Sequence, residues 1–335
     1  MSLRICSYNI EWFNHLFNAD NSLKNGRKEQ ERLTAIKNVL STIESDFVGI
    51  VEAPNTTTTT DPQQSTVAKL ENFAQISGLR TRKALTGFIS RGTQEIAALY
   101  DPDILTANHD PGGDANIKSN PEFNDVFYFD TDDDRVEEVY KHYRPPLELR
   151  TRVSQTGTEF NIIIAHPKSK GIFNSMDMLH WERESRRNRL KLYAECEWIR
   201  RRVDEWLDKN RHVIVMGDFN DGPGMDLYEL KYGRSAVEIV MGELFQPDRI
   251  LRNYAGKPKW TSYGWKPASA RFKDRMTEDY VNVLIDHILV SPGLPVVSNS
   301  PHKIWNPYEN DDAKTFRSDL LKASDHFPVT LDLDL

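Results

Sequence analysis

The chain has 335 residues, of which 39% are hydrophobic, and its 50 acidic residues outnumber its 43 lysines and arginines to give a formal net charge of −7. That length and that hydrophobic content are enough for a folded core, so a chain disordered throughout is excluded. The acidic balance excludes a surface that attracts nucleic acid over its whole area, so a polyanionic substrate must be drawn in locally.

The cysteines and the hydropathy pattern narrow the class of protein further. Cys6 and Cys196 form no C-x-x-C pair, which argues against a disulfide framework or a zinc knuckle and leaves oxygen as the ligand of any metal. No apolar run reaches membrane-spanning length, and strand-like sequence begins at Leu3, which leaves no room for a secretory leader. We therefore expect a cytoplasmic protein with no membrane span, and export of a trimmed precursor stays open.

The first two predicted strands each end in oxygen-bearing side chains. The strand that starts at Leu3 ends at Asn9 and Glu11, and the apolar run Phe47–Val51 delivers Glu52 at its end. The other segments predicted in this half are a helix over Arg27–Thr42, a low-complexity loop over Thr56–Thr60, a helix over Val67–Leu79, a strand over Gly92–Tyr100 and an acidic loop over Pro111–Asp134.

The next strands lead to a histidine and two lysines. Tyr143–Arg150 and Phe160–Ala165 are predicted strands, and the second one ends in His166-Pro167-Lys168-Ser169-Lys170-Gly171, whose basic residues suit a phosphate. The longest helical pattern follows over Trp181–Asp208. Its arginines are interleaved with glutamates, which favours a solvated face over contact with a polyanion; they include Arg186, Arg187 and Arg189.

A fully apolar run, Val213–Met216, stops at Gly217 and is followed by Asp218, Asn220 and Asp221. If extended geometry continues past the glycine, the first two of these side chains project to one side and offer two oxygens to a hard cation or a phosphate. Turn-forming residues alone give the same pattern. Its recurrence at other strand ends favours a site.

The last third of the chain repeats the pattern. A strand over Leu284–Val290 carries Asp286, and Ser324-Asp325-His326 immediately precedes the final strand. A helix over Met225–Tyr232 and a strand or loop over Trp260–Tyr263 are also predicted. No repeat or linker divides the chain, and strands recur with helices of varying length between them, which favours one α/β domain over residues 1–335.

Six motifs therefore stand in a fixed order: Ser7–Trp12, Val51-Glu52, Ile164–His166, Gly217–Asp221, Ile285–Leu289 and Ser324–Val329. In this order the chain resembles the endonuclease/exonuclease/phosphatase superfamily, from near residue 4 to near residue 332. The resemblance implies a four-layer α/β sandwich, in which two mixed β-sheets pack face to face between helices, with an active site at the strand ends of one edge. It also implies hydrolysis of a phosphate ester that depends on Mg²⁺ or Mn²⁺.

The resemblance implies a role for each strand-end residue. Glu52 is the expected principal metal ligand, with Asn9, Glu11 and Asp325 around the same ion. Mg²⁺ keeps several waters, so one or two direct carboxylates are enough. The expected catalytic residues are Asp218 and Asn220, which orient the attacking water and the phosphate or hold a second ion, and His326, a general base or phosphate contact oriented by Asp286.

Two further features bear on the branch of the superfamily. Glu95 falls where deoxyribonuclease-like members place a partner for the histidine at position 166, and abasic-site endonucleases have a tyrosine in place of that histidine. The segment His166–Gly171 is similar to an element of bacterial nuclease-like members, so Lys168 and Lys170 are expected to bind backbone phosphates, although exposed lysines are as often only solubilising.

These observations predict a metal-dependent phosphodiesterase, a nuclease acting on DNA or RNA. The alternative within the family is a small-molecule or lipid phosphoesterase, sphingomyelinase-like or inositol-phosphatase-like. An exposed aromatic loop near the site would favour it, and Trp260, Tyr263 and Trp265 are candidates for such a loop. A non-catalytic binding module is the third hypothesis, and the complete set of catalytic residue types argues against it.

Overall fold

The computed structural model describes residues 2–55, 62–114, 116–131, 134–172, 177–222, 233–255, 267–273, 278–299 and 301–335, and for 62–64 it describes the backbone only. Several predictions lie outside the described residues: the loop Thr56–Thr60, the helix Met225–Tyr232, the segment Trp260–Tyr263 and Trp265.

The described strands are short and recur along the whole chain. In chain order they are β1 (Ser2–Asn9), β2 (Phe47–Pro54), β3 (Lys83–Thr86), β4 (Gln94–Tyr100), β5 (Leu105–His109), β6 (Phe127–Phe129), β7 (Glu138–Tyr140), β8 (Leu147–Val153), β9 (Glu159–Ala165), β10 (Val213–Asp218), β11 (Arg252–Asn253), β12 (Ala270–Lys273), β13 (Tyr280–Val283), β14 (Asp286–Val290), β15 (His302–Ile304) and β16 (Val329–Asp334).

The described helices differ widely in length. They are a 3₁₀ helix at Phe13–Leu16, α1 (Arg27–Ile43), α2 (Pro62–Ser77), α3 (Met178–Asp208), α4 (Ala236–Met241), α5 (Asp311–Lys314) and α6 (Arg317–Ala323). None of these helices combines the length and the apolar character that a membrane crossing requires.

Two six-stranded sheets carry the fold, and they share one pattern of pairing. The orders are β15-β16-β1-β2-β4-β3 and β11-β14-β10-β9-β8-β5. In each sheet the two central strands are parallel, β1 with β2 and β10 with β9, and all other neighbours are antiparallel. Both sheets are therefore mixed, as the sequence predicts. The hairpins β6–β7 and β12–β13 are separate two-stranded sheets.

The inner faces of the two sheets form one core. Ile5 and Phe47 of the first sheet belong to the same buried cluster as Ile164, Ile214 and Met216 of the second. A β-branched or other apolar residue at every second strand position supplies this core, because successive strand side chains face opposite sides.

The outer faces are covered by helices. On the first sheet, Ile36 of α1, Phe73 of α2 and Leu320 of α6 are in one buried cluster with β1 and β2. On the second, Trp198 of α3 and Val237 of α4 pack against β9, β10 and β14. Helices, sheet, sheet and helices make four layers, which confirms the predicted α/β sandwich.

The sequence of the long helix α3 explains where the helix begins and which of its faces is buried. Asp177 caps its N-terminus by accepting a hydrogen bond from the backbone N–H of His180 at 2.7 Å. Its apolar stripe recurs every three or four residues, as in any helix with one face on a sheet; the buried members are Leu192, Cys196, Ile199, Val203 and Trp206.

Candidate active site

The topology brings the predicted strand ends to one edge of the sandwich. The carboxyl ends of parallel strands meet at the same edge, so Asn9 at the end of β1 and Glu52 near the end of β2 are neighbours. In the second sheet the same rule places His166, just after β9, beside Asp218 at the end of β10.

The antiparallel neighbours begin at that same edge. Asp286 is the first residue of β14 and stands opposite Asp218 in the β10–β14 register. His326 lies three residues before β16. Strand β16 is antiparallel to β1, and Val329 at its start is paired with Ser7. Residues that are far apart in sequence therefore converge because each one ends or begins a central strand.

Gly217 allows β10 to approach β9 where the site begins. Its φ is 137°, and a Cβ placed on it would lie 1.9 Å from the carbonyl oxygen of Ala165. Only glycine fits this conformation and this contact. The close approach sets His166 and Asp218 side by side, with 3.5 Å between Nε2 and Oδ2.

An Asp–His pair lies at the centre of the site. Nδ1 of His326 donates to Oδ2 of Asp286 at 2.8 Å, and the hydroxyl of Ser269 donates to the same oxygen at 2.8 Å. Ser269 Oγ in turn accepts the backbone N–H groups of Ile285 and Asp286 at 3.0 and 2.9 Å. Asp286 thereby fixes the ring of His326, and Ser269 fixes Asp286.

Nε2 of His326 faces the remaining polar groups of the site. It lies 3.4 Å from Nδ2 of Asn9 and 3.9 Å from one carboxylate oxygen each of Asp218 and Asp325. Burial alone lowers the pKa of His326, but Asp286, by charge and hydrogen bond, and then Asp218 and Asp325 raise that pKa well above its usual value. The histidine is therefore favoured as a cation.

Asp218 is buried and its proton affinity is unusual. Burial raises its pKa to about 7; Asp286 acts in the same direction and His326 opposes it. Oδ2 accepts a hydrogen bond from Nδ2 of Asn9 at 3.0 Å. A carboxyl group with a pKa near neutrality can take up and release a proton at physiological pH.

His166 is buried next to Asp218 and is held neutral. Burial, and then the positive charges of Arg144 and His326, lower its pKa well below the usual value. The expected contact with Glu95 is not formed. Glu95 instead accepts hydrogen bonds from the hydroxyl and backbone N–H of Ser90 at 2.6 and 3.2 Å, and Nδ1 of His166 has no hydrogen-bond partner within the described part of the chain.

Glu52 sits in a β-bulge at the end of β2. Its φ is 59°, and the pairing of β2 with β4 shifts between Val51 and Ala53. The bulge turns the carboxylate towards the edge, where it accepts the backbone N–H of Trp12 at 2.8 Å and the amide of Gln94 at 2.5 Å.

Arg144 is a site residue that sequence reasoning missed. Its Nη1 donates to Oε1 of Gln94 at 2.8 Å and its Nε donates to the carbonyl oxygen of His166 at 3.3 Å. It therefore links the Glu52 side of the site to the His166 side. The available signal was an arginine directly before Pro145-Pro146 at the start of a strand.

Ser324 is a second residue that the sequence did not single out. Its hydroxyl donates to the carbonyl oxygen of Asn9 at 2.8 Å and accepts the backbone N–H groups of Glu11 and His326 at 3.3 and 3.1 Å. One hydroxyl thus ties the end of β1 to the segment that carries Asp325 and His326.

The predicted metal ligands Glu11, Glu52 and Asp325 interact electrostatically, whereas among the described residues the potential ligand atoms that lie within 4.8 Å of one another belong to Asp218, Asp286 and His326. Burial, and then the charges of Asp325 and Glu52, raise the pKa of Glu11. Two buried acceptor atoms, Oδ1 of Asn9 and Oδ1 of Asp325, have no hydrogen-bond partner among the described residues. Converging carboxylates and unpaired acceptor oxygens are the environment that Mg²⁺ or Mn²⁺ prefers.

The geometry around Asn220 differs from the expected extended chain. Its φ is 53°, so the chain turns after Asp218. The backbone N–H donates to Oδ1 of Asp218 at 2.8 Å, and the side-chain amide donates to the carbonyl oxygen of Pro167 at 3.1 Å. Asn220 therefore orients Asp218 and closes the site against the segment after β9.

The two lysines after β9 are engaged with the protein. The ammonium group of Lys170 pairs with Asp221 at 2.5 Å, and Arg189 and the first backbone N–H of α4 bind the same buried carboxylate at 3.2 and 2.8 Å. Lys170 therefore helps to neutralise Asp221, and its predicted role in substrate binding stays a prediction. Nζ of Lys168, half-buried, donates to the carbonyl oxygen of Ser169 at 3.2 Å.

The fold is a four-layer α/β sandwich in which carboxylate, amide and histidine side chains converge at one edge. The family model for the endonuclease/exonuclease/phosphatase family matches residues 6–326. The chain therefore belongs to the endonuclease/exonuclease/phosphatase family.

The chain is also similar to several solved structures. A truncated TDP2 of Caenorhabditis elegans is 13% identical, with 100% of this chain and 98% of that one covered and a TM-score of 0.53. A mannosyl-6-phosphatase of Bacteroides thetaiotaomicron is 15% identical, with 99% of this chain and 100% of that one covered and a TM-score of 0.49. TDP2 of D. rerio, complexed with a single-strand DNA product, is 10% identical, with 100% of this chain and 99% of that one covered and a TM-score of 0.46. No curated protein sequence matches this chain.

Proposed function

We propose that this protein is a phosphodiesterase, dependent on Mg²⁺ or Mn²⁺, that hydrolyses DNA or RNA. The observation that carries the proposal is the hydrogen-bonded Asp286–His326 pair, which faces Asp218 and Asn9 beside the carboxylates of Glu11, Glu52 and Asp325. Divalent metal ions are general in enzymes of this family.

The charges of the site match the needs of phosphate ester hydrolysis. A phosphodiester repels an incoming hydroxide, so a catalyst must neutralise the non-bridging oxygens and activate water. His326, favoured as a cation, donates a hydrogen bond from Nε2 to a non-bridging oxygen, and the amide of Asn9 is close enough to assist. A metal ion held by Glu52, Glu11, Asn9 and Asp325 would supply further positive charge at the phosphate.

We assign to Asp218 the role of accepting the proton of the attacking water. Its pKa, raised to about 7, gives a base that is strong enough to take a proton near neutrality and still largely ionised just above it. Asn220 holds Oδ1 through its backbone N–H, which leaves Oδ2 directed towards the two histidines. We therefore assign the catalytic role to Asp218 and a positioning role to Asn220.

The preference for nucleic acid rests on the resemblance of His166–Gly171 to bacterial nuclease-like members. The alternative is a small-molecule or lipid phosphoesterase, and the net charge of −7 favours it, because an acidic protein repels a long polyanion.

The test is hydrolysis of a supercoiled plasmid, a single-stranded oligonucleotide and bis-p-nitrophenyl phosphate, each with Mg²⁺, Mn²⁺ or EDTA. We expect cleavage of a nucleic acid with either metal and none with EDTA. Cleavage of the small diester alone would reject the nucleic-acid substrate and keep the phosphoesterase. No hydrolysis of any of the three under any condition would contradict the proposal.

A further inference from the structure

A cavity of about 350 Å³ adjoins the predicted metal ligands. Its lining includes Glu11 and Asp325 from the site and, from segments outside it, Arg271, Tyr280, Tyr308 and Lys322. The four residues of the second group have no part in the chemistry proposed above. We call the cavity, with these four residues, the Arg271 subsite.

The backbone fixes the Arg271 subsite to the active site. The N–H of Arg271 donates to the carbonyl oxygen of Asp325 at 2.8 Å, and Ala270 forms an antiparallel bridge with His326. The N–H of Phe327 also donates to the carbonyl oxygen of Ser269 at 2.6 Å. The hairpin β12–β13 therefore cannot shift without moving the residues that carry the expected chemistry.

The guanidinium of Arg271 is held in place before any ligand binds. It lies 4.4 Å from the ring centroid of Tyr280 and 4.7 Å from that of Tyr308, and its Nη1 donates to Oδ1 of Asn282 at 3.1 Å. Tyr280 is 61% exposed. A cation with fixed orientation loses little conformational entropy on binding an anion.

The net charge of the cavity changes from zero to positive once the expected ion is bound. Glu11 and Asp325 supply two negative charges and Arg271 and Lys322 supply two positive ones. A divalent cation on the carboxylates compensates the first pair, so the cavity becomes cationic. Nζ of Lys322 lies 3.6 Å from Glu31, but both side chains are more than 40% exposed, and such pairs contribute little.

We propose that the Arg271 subsite binds the nucleotide next to the scissile phosphate in a single-stranded nucleic acid. Arg271 and Lys322 bind its phosphate, and the exposed ring of Tyr280 packs against its base. A cationic surface next to an exposed aromatic ring is the combination that binds unpaired nucleotides. The inference rests on the proposed nuclease function and specifies its substrate as single-stranded.

The test measures binding, so that it does not depend on turnover. A fluorescein-labelled single-stranded oligonucleotide is titrated with the Asp218→Asn protein in Mg²⁺, and anisotropy gives the Kd. In this background we expect Arg271→Ala to raise the Kd about tenfold and Lys322→Ala to raise it less. Tyr280→Ala is expected to weaken binding, with affinity largely restored in Tyr280→Phe.

Arg317→Ala is the matched control. Arg317 lies 4.3 Å from the centroid of the same Tyr308 ring but does not line the cavity, so its loss removes the same charge and the same kind of ring contact. We expect its Kd to change less than twofold. Equal weakening by Arg317→Ala and Arg271→Ala would overturn the subsite, because general attraction to a positive surface would then explain the binding.

A change in the substrate provides a second, independent measurement. Replacing one phosphate next to the cleavage position with a neutral methylphosphonate is expected to raise the Kd about tenfold with Arg271 present and to have little further effect in Arg271→Ala. The same loss in both backgrounds would overturn the inference. Failure of the proposed nuclease function has a different signature, which is the absence of hydrolysis of both the plasmid and the oligonucleotide.

Discussion

Ser269, Asp286 and His326 form a chain of hydrogen bonds in which each residue sets the state of the next. The hydroxyl of Ser269 holds one carboxylate oxygen of Asp286, and that oxygen holds Nδ1 of His326. The histidine is buried, so without the aspartate its charged form would be unfavourable. The protonation state of His326 therefore depends on Asp286 as much as on the imidazole ring itself.

Asp286→Asn tests this dependence. Because the substitution removes the charge that raises the pKa of His326, that pKa is expected to fall, and the pH at which activity is lost on the alkaline side should fall with it. We expect turnover near pH 7.5 to drop by about 10²-fold or more. An alkaline limb that stays at the wild-type pH in a pH–rate profile would contradict the role of Asp286.

Among the secondary-structure elements, the site depends on two pairs of parallel strands that end at the same edge of the sandwich. Strands β1 and β2 in one sheet, and β9 and β10 in the other, carry Asn9, Glu52, His166 and Asp218 at or just after their ends. The approach of β9 to β10 depends on Gly217, where no Cβ can be placed.

Gly217→Ala is expected to destabilise the protein by about 3 kcal/mol, since it adds backbone strain and a contact with the carbonyl oxygen of Ala165. Gly78→Ala is the matched control, because Gly78 also has a positive φ, 66°, but open space where a Cβ would lie. Its cost is expected to be about 1 kcal/mol. Equal free energies of unfolding for the two variants in urea would show that the contact with β9 is unimportant.

In the whole molecule, the outer layer that contains α3 buries groups that are costly to charge. His142 lies under α3, with its ring stacked on Trp198 at 4.6 Å and edge-on to Phe123 at 5.3 Å. Burial, and then Lys191 and Arg202, lower its pKa to about 3. Glu195, 3.9 Å away, has a pKa raised to about 7, chiefly by burial.

His142→Phe is expected to make the protein less sensitive to acid. The folded pKa of His142 lies below its unfolded value of about 6.5, so its contribution to stability is complete above that pH and is lost as the pH falls towards 3. Between pH 6.5 and 5 the wild type should lose about 2 kcal/mol more of its free energy of unfolding than the variant. Parallel plots of this free energy against pH would contradict the assignment.

The sequence predicts the layers well, because apolar runs and helical stripes are local. The helix predicted over Arg27–Thr42 is α1, Arg27–Ile43, and the strand predicted over Phe160–Ala165 is β9, Glu159–Ala165. The short strands β3 and β5 and the hairpin β12–β13 were not predicted. Each of these strands has only four or five residues, which is too short for a clear pattern, and β5 pairs with the more distant strand β8.

The site was predictable where a residue's role follows from its strand end, and not where the role depends on a distant partner. Asp286 and His326 were paired correctly. Glu95 was placed beside His166, but its side chain meets Ser90 on the loop before β4. Lys170 is predicted to bind the substrate, and in the structure its ammonium group pairs with Asp221, 51 residues away. Ser269 and Arg271 carry no local signal, and the positions of Arg144 before Pro145-Pro146 and of Ser324 in its motif do not reveal their roles, because polar residues like these acquire their roles through contacts across the fold.

Whether phosphodiesters are hydrolysed at this edge of the sandwich is tested by turnover of a phosphodiester by Asp218→Asn and wild type, side by side in Mg²⁺, with thermal unfolding of both proteins as the control for folding. We expect the variant to unfold cooperatively, like the wild type, and to lose activity by about 10²-fold to 10⁴-fold, because the carboxylate placed to accept the proton of the attacking water is gone. Full turnover by a folded Asp218→Asn protein would show that hydrolysis does not take place at this edge of the sandwich.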